Sequence, residues 1–488
     1  METMLMILKS LGRFTWKAAE FLIKGKVLRT KQGAKFLSLD EAQEFLSSRH
    51  KGLLIDGKDK RLSVSESFQN VCFAARVGAG KTTKYIIPNV LDKAKQNISM
   101  VVHDPKGEVH QATSGYLAAN GYKVVVFNPH HVSDSNLFNP FCEAKNAIEL
   151  ELIAETLIWS GNPAESDPYW NNGATRILSV LIKCLSFGDK KYFNLPNLYH
   201  LLQNFGALGE GIEDWVAANC WDPAAPEDRS VLNEWKGALT GNKEAIQSFV
   251  GICLTALKAL SNRDLRTFFS ASDYELSQFR KQKTVIYFIT PIEHSKYYSF
   301  ATSLFFRAIF NECMRPHHLS GKSLPVYILY DEFGNSFVSD FVSVATSIRG
   351  YGVSLSIILQ SISQLAMRYG QKTAESIMGA FNTNISLSGS DPATSEYFSR
   401  ISGRVRERQI KDLDEMHQES YQEYALLHPN EVRTMGDHEA LLICKNRQPV
   451  RLEITPYFQN RIFRKASLFP PVFTPPKHQT STIELVQL

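Results

Sequence analysis

Three short stretches hold residues whose types and spacing suit phosphate chemistry. "FAARVGAGKTTKYIIP" (residues 73–88) nearly matches Gly, four residues, Gly-Lys-Ser/Thr, with Ala75 in place of the first glycine. Such a loop points backbone N–H groups and a helix N-terminus at phosphates, while its lysine adds a point charge and its Thr a Mg²⁺ ligand. Here Ala75, Gly78, Ala79, Gly80, Lys81, Thr82 and Thr83 form the expected nucleotide-binding set, with Thr82 for the metal. Ala75 suffices if its φ is negative, because only close-approach positions need glycine. "VYILYDEF" is a buried strand that delivers Asp331 and Glu332 to its C-terminal edge, where parallel sheets bind ligands. Asp331 is expected to hold Mg²⁺ and Glu332 to polarise the attacking water. "SIRGYGVSLSIILQS" turns through glycines after Arg349 and carries Gln360 to the same edge. Gln360 reads as a γ-phosphate sensor, and Arg349 as a residue for a neighbouring subunit's nucleotide.

Two further clusters are weaker. "HDPKGE" places Asp104 and Lys106 after another strand, as partners of phosphate or Mg²⁺ or as a plain turn; His103 and His110 read as structural. "SRISGRVRERQIK" gathers Arg404, Arg406 and Arg408 for a possible nucleic-acid contact, though a solvated loop is the commoner meaning of such a run. There is no NKxD base-reading element, which favours ATP over GTP, and no HExxH, GxSxG or kinase HRD set.

These residues need a scaffold. Strand–loop–helix alternation on both sides of residues 143–275 predicts an α/β fold, a predominantly parallel sheet covered by helices. Between them β-branched runs vanish and helical periodicity dominates, predicting an all-helical insertion. The expected divisions are a basic amphipathic helix over 1–31, the nucleotide domain over 32–142 and 276–462, the insertion over 143–275, and a Pro-containing flexible tail over 463–488. "GLLIDGKDKRLSVS" reads as a hairpin.

Bulk properties set limits. The 488 residues are 44% hydrophobic and 21% charged, enough to bury a large core. The seven cysteines are scattered singly, with no CxxC pair, against zinc-finger, redox and disulfide frameworks. Residues 1–31 hold seven basic against two acidic groups, so they carry the whole net charge of +5 and the remainder balances to zero. Any nucleic-acid groove is therefore local. No window approaches eighteen uninterrupted apolar residues.

In this order the stretches resemble the type IV secretion coupling proteins, the TraG/TraD family of conjugative-transfer ATPases. The likeness runs through "IIPNVL", "DPKGEVHQATSGYLAANGYKVVVFNP", "FNPF", "YWNNGATRILSVLI", "YDEFGN", "RGYGVSLSIILQSISQLAMRYG" and "LLHPNEVRTM" to "PYF", over about residues 50 to 460. It implies a RecA-like P-loop motor interrupted by an all-helical domain, with ATP and Mg²⁺ as cofactors. It also implies a ring, hexameric by expectation, that delivers DNA or relaxase-nucleoprotein to a secretion channel. Lys81, Thr82, Asp331, Glu332, Arg349 and Gln360 match the family's nucleotide positions. Members commonly begin with transmembrane helices, for which the basic N-terminal helix would substitute as a peripheral anchor on anionic lipid, unless a separate membrane partner does so. The expected location is cytoplasmic, at the inner face of the bacterial inner membrane. Two other readings remain open: a nucleotide-gated recruitment scaffold with little turnover, and a soluble DNA pump of the FtsK/HerA kind.

Overall fold

The structure, a computed structural model, describes residues 28–161, 167–410, 419–473 and 483–488. In chain order its strands are β1 (Leu28–Gly33), β2 (Leu46–Ser47), β3 (Arg61–Leu62), β4 (Val71–Ala74), β5 (Ser99–His103) and β6 (Lys123–Phe127). After a long helical stretch come β7 (Thr284–Phe288), β8 (Val326–Tyr330), β9 (Val353–Leu359) and β10 (Thr383–Leu387). The last four are β11 (Arg404–Ile410), β12 (Glu419–Ala425), β13 (Glu439–Cys444) and β14 (Val450–Glu453).

Nine of these form one sheet in the order β14-β13-β10-β4-β9-β8-β5-β7-β6. From β10 to β6 every pairing is parallel; β13 alone runs against the rest, and β14, antiparallel to β13, returns to the common direction. Strands β4, β5, β7, β8, β9 and β10 are buried along their whole length. That is the pattern of a sheet covered on both faces, and it explains why these segments read as apolar runs rather than alternations. Side chains part by period two: Cys72, Val101, Ile286, Ile328 and Ile357 enter the core shared with the insertion. Phe73, Met100, Val285, Leu329 and Ile358 enter the core on the other face.

Between β6 and β7 the described residues are helical, without a strand, as expected. Asp167, Asn194, Asn242 and Asn262 each cap a helix there by accepting from a backbone N–H, the role for which short polar side chains are favoured. Lys243–Ser261 is long and apolar enough by composition to cross a bilayer, with mean hydropathy 1.2. Its Ile246, Val250, Cys253 and Leu257 are instead buried within the insertion, and Cys253 Sγ lies 3.3 Å from Ala174 O of the helix Pro168–Phe187. It is a core helix of the insertion.

The hairpin expected near residue 56 is present: Ile55 N donates to Lys60 O and Leu62 N to Leu53 O, and Asp56 Oδ1 accepts from the N–H groups of Lys58, Asp59 and Lys60. Three expectations need correction. The basic helix expected over 1–31 lies, up to residue 27, outside the described residues, while Leu28–Gly33 are strand β1. The solvated loop expected around Arg404–Arg408 is strand β11, the centre of a three-stranded antiparallel sheet β1-β11-β12. Its arginines alternate with Val405 and Glu407, a period-two pattern that a count of charges overlooks.

The tail expected to be flexible from 463 is docked wherever it is described. Helix Arg461–Ala466 runs into it. Val472 N then donates to Ser114 Oγ at 3.1 Å, and the Phe473 ring meets the His110 ring edge-on. A Cβ on Gly115 would stand 2.1 Å from Pro470 O, so this close crossing requires glycine. At the far end Val486 is buried, its N–H donating to Asn197 Oδ1, and Lys191 pairs with Glu484 at 2.9 Å. An extended proline-containing chain has no ladder of its own, and the side chains of Ser114 and Asn197 supply its partners.

Candidate nucleotide site

In spatial order β4, β9, β8 and β5 are consecutive, and their C-terminal ends carry the glycine loop, Gln360, Asp331–Glu332 and Asp104. Four separate sequence stretches thus meet at one edge. Ala75 continues the ladder beyond β4, its N–H donating to Leu359 O at 3.0 Å. It is buried and is absent from the non-glycine residues of positive φ, so the missing glycine leaves the backbone unstrained. Gly78 and Gly80, with φ of 79° and 86°, do adopt the left-handed conformation that glycine permits. Beyond Lys81 the chain winds through a wide π-turn, Thr82–Ile86, into helix Ile87–Lys93 with Pro88 in its first turn. Ile87 N donates to Thr82 O, so it is the start of the π-turn, beside Lys81, that leaves N–H groups without helical acceptors. Thr83 Oγ1 donates to Gly80 O at 3.2 Å, so Thr82 is the hydroxyl left for a metal.

Opposite the loop, Lys81 Nζ stands 3.1 Å from Glu332 Oε1, and Gln360 Nε2 donates to Glu332 Oε2 at 2.6 Å. Both Lys81 and Glu332 are buried. Glu332 has φ 51°, a left-handed conformation costly for a residue with a side chain, and such strain clusters at ligand sites. Its N–H donates to Asp331 Oδ1 at 2.9 Å and its carbonyl accepts from Asn335 N at 2.9 Å. Burial, then the charge of Glu332, pushes the Asp331 carboxyl up to about 7 against the pull of Lys81. His103 bridges behind it, with Nδ1 against Asp331 O and Nε2 3.0 Å from Thr290 Oγ1; burial lowers this imidazole to about 4 and keeps it neutral. Asp104 Oδ2 accepts from His110 N at 2.8 Å. Its Oδ1 is buried with no hydrogen-bond partner, and burial raises the carboxyl to about 6.

Lys106 is exposed. Arg349 is also exposed, in the turn Ile348–Tyr351 ahead of β9, so the full length of that strand separates it from Gln360. Arg404 and Arg406 lie in the separate small sheet, where Arg406 covers the Tyr421 ring at 4.2 Å and Arg404 is 4.0 Å from Glu423. Arg408 pairs in register with Thr30 and Tyr421. Asn335, whose Nδ2 is 3.4 Å from Glu332 Oε2, and Thr290 were not legible as site residues, since nothing in their spacing ties them to the loop. His103 was legible only as the neighbour of Asp104.

A phosphate loop on a central parallel strand, with a carboxylate pair closing the strand two places away, defines a RecA-like P-loop NTPase fold. The chain belongs to the Type IV secretory system conjugative DNA transfer family, whose model matches residues 4–481. It is 23% identical to Protein VirD4 of Rhizobium radiobacter over 410 residues, 79% of this chain and 56% of that protein. It is 24% identical to the conjugal transfer protein TraG of Rhizobium radiobacter over 432 residues, 81% of this chain and 63% of that protein. The chain therefore spans rather more than half the length of these relatives. Among solved structures, the unbound bacterial conjugative coupling protein TrwBdeltaN70 superposes with a TM-score of 0.67 at 16% identity, covering 88% of this chain and 94% of that one. The plasmid coupling protein TrwB in complex with ADP and Mg²⁺ gives 0.65 at 14% identity, covering 88% and 95%.

Proposed function

We propose that this chain is an ATP-hydrolysing coupling motor that recruits DNA or a relaxase-nucleoprotein and delivers it to a type IV secretion channel. The observation that carries the reading is the chain Lys81–Glu332–Gln360, with its lysine and glutamate buried, which joins the glycine loop to the ends of β8 and β9. Lys81 is the cation for the β- and γ-phosphates, and the N–H groups from Gly78 to Thr83 cradle them. Thr82 and Asp331 would hold Mg²⁺, a fit supported by the buried Asp331 carboxyl beside Glu332, whose charge Lys81 offsets only in part. The bound ion would offset charge on the phosphate oxygens. Glu332, once Lys81 turns to the phosphates, accepts the proton of the attacking water, and Gln360 senses the γ-phosphate. Asp104 stands behind Asp331. Arg349 serves the next subunit's nucleotide in a ring, hexameric by family likeness. The nucleotide complexes of TrwB with ADP and Mg²⁺ support the cofactor assignment.

The protein would work at the cytoplasmic face of the inner membrane, with residues 1–27 contacting anionic lipid. Flotation with anionic liposomes should carry the full chain and leave a 1–27 deletion behind; equal behaviour of the two removes the anchor.

One observation favours the scaffold reading as a second choice. Both Glu332 oxygens are engaged, by Lys81 and Gln360, so the carboxylate faces these partners rather than an attacking water until nucleotide draws Lys81 away. ATP hydrolysis with and without single- and double-stranded DNA, beside a sizing measurement, separates the two. Nucleic-acid-stimulated turnover by an oligomer supports the motor, and binding without turnover under every condition supports the scaffold.

A further inference from the structure

Away from the nucleotide edge, Glu312, His317 and His318 bring three ligand atoms within 4.8 Å of one another. Glu312 lies in the last turn of helix Ser295–Cys313, and the histidines in the tight turn Pro316–Ser320, which the chain follows on its way to β8. We propose that these residues form a binding site for a divalent transition metal of the zinc class, with a fourth position open to water.

Three features of geometry carry this. His318 Nε2 and Glu312 Oε1 are 3.4 Å apart, long for a hydrogen bond but close to the separation of about 3.3 Å between tetrahedral ligands on bonds of about 2.0–2.1 Å. The other ring nitrogen, Nδ1, lies 2.6 Å from Ser323 Oγ. With its proton directed there, Nε2 presents a lone pair toward the carboxylate, and a hydrogen bond on the far nitrogen is how metal-binding imidazoles are held. His318 and Glu312 are buried, while His317 is exposed, its ring centroid 4.0 Å from that of His318, so the cluster opens to solvent on one side.

The surroundings select the metal. Arg315 approaches Glu312 Oε2 at 3.5 Å, but its guanidinium is engaged by both oxygens of Glu149. Arg280 directs its donors at the carbonyls of Leu324, Cys313 and Tyr351. Two cations so close disfavour Mg²⁺ or Ca²⁺, which bind through charge to many oxygens. They disfavour far less a metal that forms directional bonds to imidazole. Bound there, the ion would tie the end of the helix to the turn that leads into β8, the strand carrying Asp331 and Glu332.

The test uses the full chain, exposed to excess Zn²⁺, desalted and assayed for zinc, with the thermal midpoint recorded with Zn²⁺ and with Mg²⁺. The expected result is one zinc per chain and a higher Tm with Zn²⁺ alone. His317→Ala removes an exposed ligand without opening the core and should lose both effects, while His438→Ala, an exposed histidine elsewhere, should keep them. His130, His131 and His294 form the competing histidine cluster. Zinc retained by His317→Ala, zinc lost instead in His131→Ala, or no zinc retained by the wild type would each overturn the assignment.

Discussion

The C-terminal edge of the nine-stranded sheet and the small sheet β1-β11-β12 are both rich in charge, and they use it oppositely. At the edge, Lys81, Asp104, Asp331 and Glu332 are buried with too few partners: one lysine faces three carboxylates, and Asp104 Oδ1 has no hydrogen bond. In the small sheet Arg404 and Arg406 are exposed, one 4.0 Å from Glu423 and the other covering Tyr421. Burying charge is expensive, and removing one partner of a buried pair costs more than the pair contributes, so an incompletely matched buried set points to a ligand. Exposed charges that meet opposite charge or an aromatic face need no ligand to explain them.

The comparison can be broken first at a third place, the exposed Arg349 on the opposite edge. Arg349→Ala should keep ATP binding and lower turnover by a factor on the order of 10³–10⁵, the range for arginines supplied in trans. Mixing it with Lys81→Ala subunits should restore some activity, because those subunits still carry Arg349; normal turnover by Arg349→Ala alone removes the residue from catalysis. Next, Glu332→Gln keeps the shape of the site and removes the proposed base. Turnover should fall by roughly 10²–10⁴ with ATP affinity retained, and unchanged turnover would make Glu332 a mere partner of Lys81.

In the small sheet the effects should be modest. Arg404→Ala combined with Arg406→Ala should leave DNA-free ATPase unchanged and reduce the salt slope of DNA binding by about 2, near 0.9 for each phosphate no longer neutralised. A slope equal to wild type would confine these arginines to the sheet. The smallest effect is on stability with pH. Burial raises the Glu143 carboxyl to about 7, so the folded protein holds a proton that the unfolded chain releases from about 4.3 upward. Stability from this group is therefore full below about 4.3 and declines as pH rises to about 7. Glu143→Gln should flatten that decline in a series of thermal melts, and an unaltered slope would assign the pH dependence elsewhere.

What the sequence could show follows the same division. Strands β5, β8 and β9 are apolar runs ended by His103–Asp104, Asp331 and Gln360, polar ends that stand out against the burial expected of a parallel sheet, and β4 runs into the loop of Gly78, Gly80 and Lys81. The contacts behind them did not, because Thr290 and Asn335 join the site only through the fold. Strand β11 resembles a loop in sequence because arginines mask the alternation that leaves Val405 and Glu407 buried. The docking of the tail is hidden in the sequence because a proline-containing segment lacks a periodic signal, and the partners that hold it, Ser114 and Asn197, lie hundreds of residues earlier.

The central claim is that the loop around Lys81 binds and hydrolyses ATP together with the carboxylates it faces. The most direct measurement is steady-state phosphate release by wild type and Lys81→Ala, each with Mg²⁺ and saturating ATP, with and without DNA. The wild type should turn over and the variant should show none above background, because the phosphates lose the buried cation that faces Glu332. Equal turnover by both proteins would contradict the site.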